Sequence, residues 1–134
     1  MTPLVVVDGA NVVGSVPDGW WRDRHGANER LRDALAPLGH AGLPDRSDVP
    51  RWARQGPLEV LLVVEGAARR VSSVVGVRVV GTAGSGDDRI VAVVAEARAA
   101  DPERPVLVVT ADRALRERVA AHGAEVAGPL TVRP

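Results

Sequence analysis

The chain predicts a three-layer α/β sandwich with a mostly parallel sheet of four or five strands, built as a single domain over residues 1–134. Three observations carry this. Leu4-Val5-Val6-Val7 and Val106-Leu107-Val108-Val109 are apolar at every position, the pattern of strands covered on both faces in a parallel sheet. Such runs alternate with stretches of helical spacing, which implies crossover connections of right-handed sense. A length of 134 residues suffices for one buried core and is marginal for two.

The elements follow in order. Leu4 to Val7 is the first strand, ended by Asp8-Gly9-Ala10-Asn11. A long polar loop then holds Trp20, Trp21, Arg22, Asp23, Arg24 and His25. Asn28 can cap a helix whose stripe is Leu31, Leu35 and Leu38, with Gly39 near its end. Residues 41–56 contain two prolines and several charges, and read as a loop or short helix around Trp52. Leu58 to Val64 is the second strand, stopped by Glu65-Gly66, and a third lies within Val74 to Val80 before a Gly-rich loop. From Asp87 onward Ile90, Val91, Val94 and Ala97 recur at helical spacing until Asp101-Pro102 ends the helix. Val106 to Val109 is the fourth strand. Asp112 starts a helix with Leu115 and Val119 inward that closes at His122-Gly123, and Ala124 to Ala127 is a short fifth strand.

Composition narrows the function classes. No apolar stretch approaches the roughly 18 residues needed to cross a bilayer. Met1-Thr2-Pro3 lacks the basic start of a signal peptide, so a cytoplasmic protein is expected. The absence of cysteine excludes disulfides, thiolate zinc sites and cysteine nucleophiles. All 17 basic residues are Arg, which reads as the bias of a GC-rich genome and excludes a P-loop, since that loop needs Lys. A formal net charge of zero means that any affinity for nucleic acid comes from a local basic patch.

The chemistry is carried by carboxylates at strand ends. In an open α/β sheet, ligands bind outside the carboxyl ends of the strands. Asp8, Glu65 and Asp112 fall at or just past such ends, and Asp87-Asp88 open a helix that can lay its N-terminus on the same edge. Converging acids repel one another unless protons or a hard cation compensate them. Four or five carboxylates suit Mg²⁺ or Mn²⁺, as one ion or as two about 3.5–4 Å apart, and the matching chemistry is hydrolysis of a phosphodiester. Each acid also has a plainer reading. Asp87, Asp88 and Asp112 are good helix caps, and Glu65 reads equally as a solvated strand end. Asp8 is too early to cap the helix expected after Asn28. Asn11, one of two Asn in the chain, either orients Asp8, binds a phosphate oxygen, or serves as a loop residue.

Val5-Val6-Val7-Asp8-Gly9-Ala10-Asn11, Gly84-Ser85-Gly86-Asp87-Asp88-Arg89-Ile90 and Val108-Val109-Thr110-Ala111-Asp112-Arg113-Ala114-Leu115 together resemble the PIN-like nuclease superfamily, specifically its NYN branch with YacP-like proteins. The resemblance covers nearly the whole chain in order, with Asp-Gly-x-Asn its most specific motif. It implies a PIN-like (Rossmann-like) fold and a metal-dependent ribonuclease. It also implies Asp8, Asp87 and Asp112 as metal ligands, with Asp88 and Glu65 as further candidates, and Asn11 and Thr110 as their catalytic neighbours.

Arg69, Arg70, Arg89 and Arg113 stand beside these acids in sequence and are candidates to grip the phosphates of RNA. Trp20, Arg22 and Arg24 are candidates to stack and clamp single-stranded bases, against the alternative of a hydrophobic lid. RNA is therefore the expected partner and a membrane is not. A homodimer or a regulatory protein partner is left open. Two rival functions stand beside the nuclease: a non-catalytic RNA-binding or adaptor module of the same fold, and a metal-dependent phosphohydrolase of small nucleotides.

Overall fold

A computed structural model describes residues 1–133. Its strands are β1 (Leu4–Asp8), β2 (Glu59–Glu65), β3 (Arg78–Thr82), β4 (Val106–Val109) and β5 (Glu125–Ala127). They form one five-stranded sheet in the order β3-β2-β1-β4-β5. Every neighbouring pair is parallel, so the sheet is parallel throughout rather than mostly so. The helices are α1 (Gly9–Val13), α2 (Arg24–Leu35), α3 (Leu38–Ala41), α4 (Gly86–Ala100) and α5 (Arg113–Ala120).

Alternation along the strands divides the core into two. Val5, Val7, Val60, Leu62, Val64, Leu107 and Val109 face one way and pack with Val12 and Val13 of α1 and Leu31 and Leu35 of α2. Leu4, Val6, Leu61, Val63, Val106 and Val108 face the other way, onto Ile90 and Val94 of α4 and Leu115 and Val119 of α5. Burying a Val or Leu side chain contributes about 1.5–3 kcal/mol, so these two apolar layers account for the three-layer architecture. Strand order reverses between β1 and β4, and a crevice opens there outside their carboxyl ends.

Several local expectations need correction. Asn28 does not cap α2; Asp23 does, accepting from Gly26 N–H at 2.9 Å, and Asn28 lies buried one turn inside. Asp8 does cap a helix, because α1 follows β1 without a loop. At five residues α1 is too short to show a helical period in sequence. The third strand starts at Arg78, because Val74 and Val77 instead close a tight turn through Gly76, whose φ of 92° suits glycine. The segment around Trp52 does contain the short helix expected there, a 3₁₀ turn over Arg51–Arg54. Among the described residues, no helix is long and apolar enough to cross a membrane.

Candidate functional site

Parity along the strands decides which side chains meet. Asp8 continues the Leu4, Val6 face of β1, Glu65 the Leu61, Val63 face of β2, and Thr110 the Val106, Val108 face past β4. All three therefore point to the side covered by α4 and α5. The N-termini of those helices supply Asp87 and Asp112. The result is an open cavity of about 370 Å³ lined by Asp8, Ala10, Asn11, Glu65, Ser85, Asp87 and Asp112. Four carboxylates from four separate segments line it, and among the described residues no basic one does.

Asp8 is the most constrained of them, at 5% exposure. The Thr110 hydroxyl donates to its Oδ2 at 2.9 Å, and the Asn11 backbone N–H approaches its Oδ1 at 3.4 Å. Burial pushes its carboxyl up to about 6; these two hydrogen bonds pull it back, while Asp87 and Glu65 push it further. Asp87 is likewise held above the usual carboxylate range, first by burial and then by the charges of Asp112 and Glu65, with Arg118 opposing. Glu65 is no solvated strand end. It is half-buried, and its Oε2 accepts the Gly86 N–H at 2.6 Å, which fastens the end of β2 to the first turn of α4.

The neighbouring polar groups act as a frame. Thr110 is fully buried and accepts the Asp112 N–H at 3.1 Å while donating to Asp8, so one hydroxyl sets both acids. Asn11 does not hold Asp8 through its amide. Its Oδ1 accepts the Ala111 N–H at 2.8 Å and ties α1 to the turn after β4. Gly9 is needed for close approach, since a Cβ there would stand 2.7 Å from both Asn28 Oδ1 and the Val63 carbonyl. Arg116, which sequence reading passed over, donates from Nε to the Thr110 carbonyl at 2.7 Å.

The remaining candidates separate. Asp88 is exposed, turns to Arg118 at 2.9 Å and does not line the acid cavity. Arg89 lines a different cavity with Leu4, Glu59, Arg78 and Arg104, toward the amino ends of the strands. Successive helix residues are about 100° apart, so of these three consecutive positions only Asp87 faces the acids. Arg69 spends its guanidinium on the Gly66 carbonyl at 2.9 Å, and Arg70 and Arg113 are exposed. Trp20 and Arg24 line a second cavity that shares Ala10 and Glu65 with the first, and Arg22 lies beside Trp21 instead. Arg118, the cation acting on Asp87, was missed because its placement depends on how α5 packs against α4.

Among the described residues, no three Asp, Glu, His or Cys side chains form a group that could hold a metal ion as they stand. The donor chemistry nonetheless fits a hard divalent cation. All the charged donors are carboxylate oxygens, they repel one another, and Mg²⁺ usually takes only one or two carboxylates while keeping several waters.

Thr110→Val is expected to lower stability by about 1–3 kcal/mol at neutral pH, the cost of a buried charged acceptor losing its donor. Protonation of Asp8 should shrink that deficit in acid, which thermal melts at two pH values measure. An equal deficit at both would assign the hydroxyl to the Asp112 N–H instead.

No protein-family model and no curated protein matches this sequence significantly. Comparison of folds does find similar structures. Rae1 (YacP) from Bacillus subtilis superposes with a TM-score of 0.69 at 16% identity, covering 99% of this chain and 72% of the other. A tryptophan-to-leucine mutant of the same protein superposes with a TM-score of 0.68, also at 16% identity, covering 97% and 71%. The fold is therefore a PIN-like α/β fold, shared with Rae1 (YacP).

Proposed function

We propose that this chain is a metal-dependent ribonuclease that hydrolyses RNA phosphodiester bonds at the acid cavity. One observation carries the reading: Asp8, Glu65, Asp87 and Asp112 line one open cavity at the point where strand order reverses, and no cation among the described residues lines it with them. The shared PIN-like fold and the three motifs support it. Asp8, Asp87 and Asp112 would hold Mg²⁺ or Mn²⁺, with Glu65 beside them. Such an ion, when bound, supplies an activated water and neutralises charge at the scissile phosphate.

The protein's own groups do the rest. Thr110 fixes the Asp8 carboxylate in one orientation, so the acid nearest the sheet needs no reorganisation when substrate arrives. Asn11 is locked through its Oδ1, and its Nδ2 makes no hydrogen bond among the described residues, which leaves a donor for a phosphate oxygen. The openness of the cavity suits a polymer passing across it better than a small nucleotide enclosed within it. The cysteine-free composition keeps the cytoplasm as the proposed compartment.

The direct test is incubation of the purified protein with RNA in Mg²⁺, in Mn²⁺ and in EDTA. Cleavage is expected with either metal and not in EDTA, and Asp87→Asn and Asp112→Asn should each reduce it roughly 100-fold or more. Binding of RNA without cleavage in either metal would support the adaptor module. Turnover of free nucleotides without cleavage of RNA would support the phosphohydrolase.

A further inference from the structure

The second cavity lies outside the acid site and gathers two of the base-stacking candidates, Trp20 and Arg24, with partners that the sequence did not indicate. It measures about 330 Å³, at the lower end of the range that receives small molecules. Val13 and Ala68 give it an apolar wall, Trp20 an aromatic one, and Arg24 a cation. The Arg24 guanidinium lies 5.3 Å from the Trp20 ring centroid, and Trp21 meets Trp20 edge-on at 5.8 Å, so the indole is held from two sides. Asn28 lines the same cavity at 4% exposure; its Nδ2 donates to the Arg24 carbonyl at 2.9 Å, while its buried Oδ1 accepts no hydrogen bond. That Oδ1 is packed against Gly9, so the chemistry the cavity offers is that of Trp20, Arg24 and the apolar wall. The cavity shares Ala10 and Glu65 with the acid cavity, so the two lie side by side.

We infer that this cavity is a nucleobase subsite, which receives one unstacked base of the RNA while the adjoining acids act on a neighbouring phosphate. A planar aromatic ring matches these walls: Trp20 and the Arg24 guanidinium for stacking, Val13 and Ala68 for its apolar contact. The consequence is substrate class. A base buried here cannot be paired, so the RNA must be single-stranded next to the cut. The inference rests on the ribonuclease reading for its consequence, but not for the binding itself.

Two experiments separate them. In EDTA, saturation-transfer NMR on the full chain should show contact with the base protons of nucleoside monophosphates and none with ribose 5-phosphate. Trp20→Ala should weaken that binding roughly tenfold or more, Trp20→Phe should restore it, and Arg24→Ala should weaken it as well. Trp20 is half-buried against the core, so Trp20→Phe, which keeps a ring there, and Arg24→Ala, at an exposed position, are the variants expected to keep the native melt. Equal signals from ribose 5-phosphate, or unchanged binding in Trp20→Ala, would overturn the subsite. In the second experiment, an RNA series with one abasic position at a time should be cut roughly tenfold more slowly when the gap falls at one fixed distance from the scissile bond. Uniform cutting across the series would also overturn the subsite. Trp20-dependent binding of nucleotides with no cleavage of any RNA would leave the subsite standing and remove the nuclease.

Discussion

Asp8→Asn is expected to abolish cleavage and, unusually for a buried polar position, to make the protein more stable. The loss should be roughly 100- to 1,000-fold, the size seen when one electrostatic group is taken from a preorganised site. The gain follows from linkage. Asp8 ordinarily titrates at 3.8 and is pushed up to about 6 in the fold by burial. The native state therefore holds that proton more tightly than the unfolded chain, and the stability this contributes is complete below pH 3.8 and lost as pH rises through 6. At about 1.4 kcal/mol per pKa unit, the charged carboxylate costs on the order of 3 kcal/mol at neutral pH. An Asn of the same shape keeps an acceptor for the Thr110 hydroxyl and carries no charge. A rise in Tm of roughly 5 °C or more at neutral pH is expected, narrowing to little or nothing near pH 4. A fall in Tm at both pH values would mean that the Asp8 charge is already compensated in the free protein.

Addition of Mn²⁺ or Mg²⁺ should raise the Tm of the unaltered chain, because a ligand that binds only the folded state stabilises it by about 2.7 kcal/mol at a hundredfold excess over its Kd. The effect should be large here for the same reason that Asp8→Asn is stabilising: the ion removes a repulsion that the free protein carries. Asp8 and Asp87 are both held above the ordinary carboxylate range, so protons compete for the site. The metal-dependent rise should accordingly be full above pH about 7, fall through pH 6 and vanish near pH 4, and it should be small in Asp8→Asn at any pH. Calorimetry with and without metal measures this without reference to activity. A Tm indifferent to both ions at neutral pH would mean that the acids hold no divalent cation, and the hydrolytic proposal would fall with it.

The layered fold and the placing of most of the candidate site's residues at one sheet edge were legible in the residues, for a common reason. A fully buried parallel strand must be apolar at every position, so the first carboxylate after Val7 or past Val109 marks the place where the chain leaves the core. Period-two alternation then sends Asp8, Glu65 and Thr110 to one face. What escaped were features set by fewer residues than a period needs. α1 is one turn long, so the capping role of Asp8 was invisible. Asp23 and Asn28 are both good caps by type, and only the observed start of α2 at Arg24 chose Asp23. Asp87, Asp88 and Arg89 looked alike as candidates until the rotation of α4 about its axis sent each a different way.

By itself, the order of residues determined the alternation of strands and helices, the parallel sheet and the emergence of acids at its carboxyl edge, because burial and backbone periodicity act locally and leave their mark on neighbouring positions. The tertiary structure alone decided that Asp8, Glu65, Asp87 and Asp112 share a single cavity, that Arg118 rather than Arg113 influences it, and that Trp20, Arg24 and Asn28 enclose a second cavity beside it. Those outcomes depend on strand order and helix rotation, which are set by packing between segments distant in the chain and have no local periodic trace.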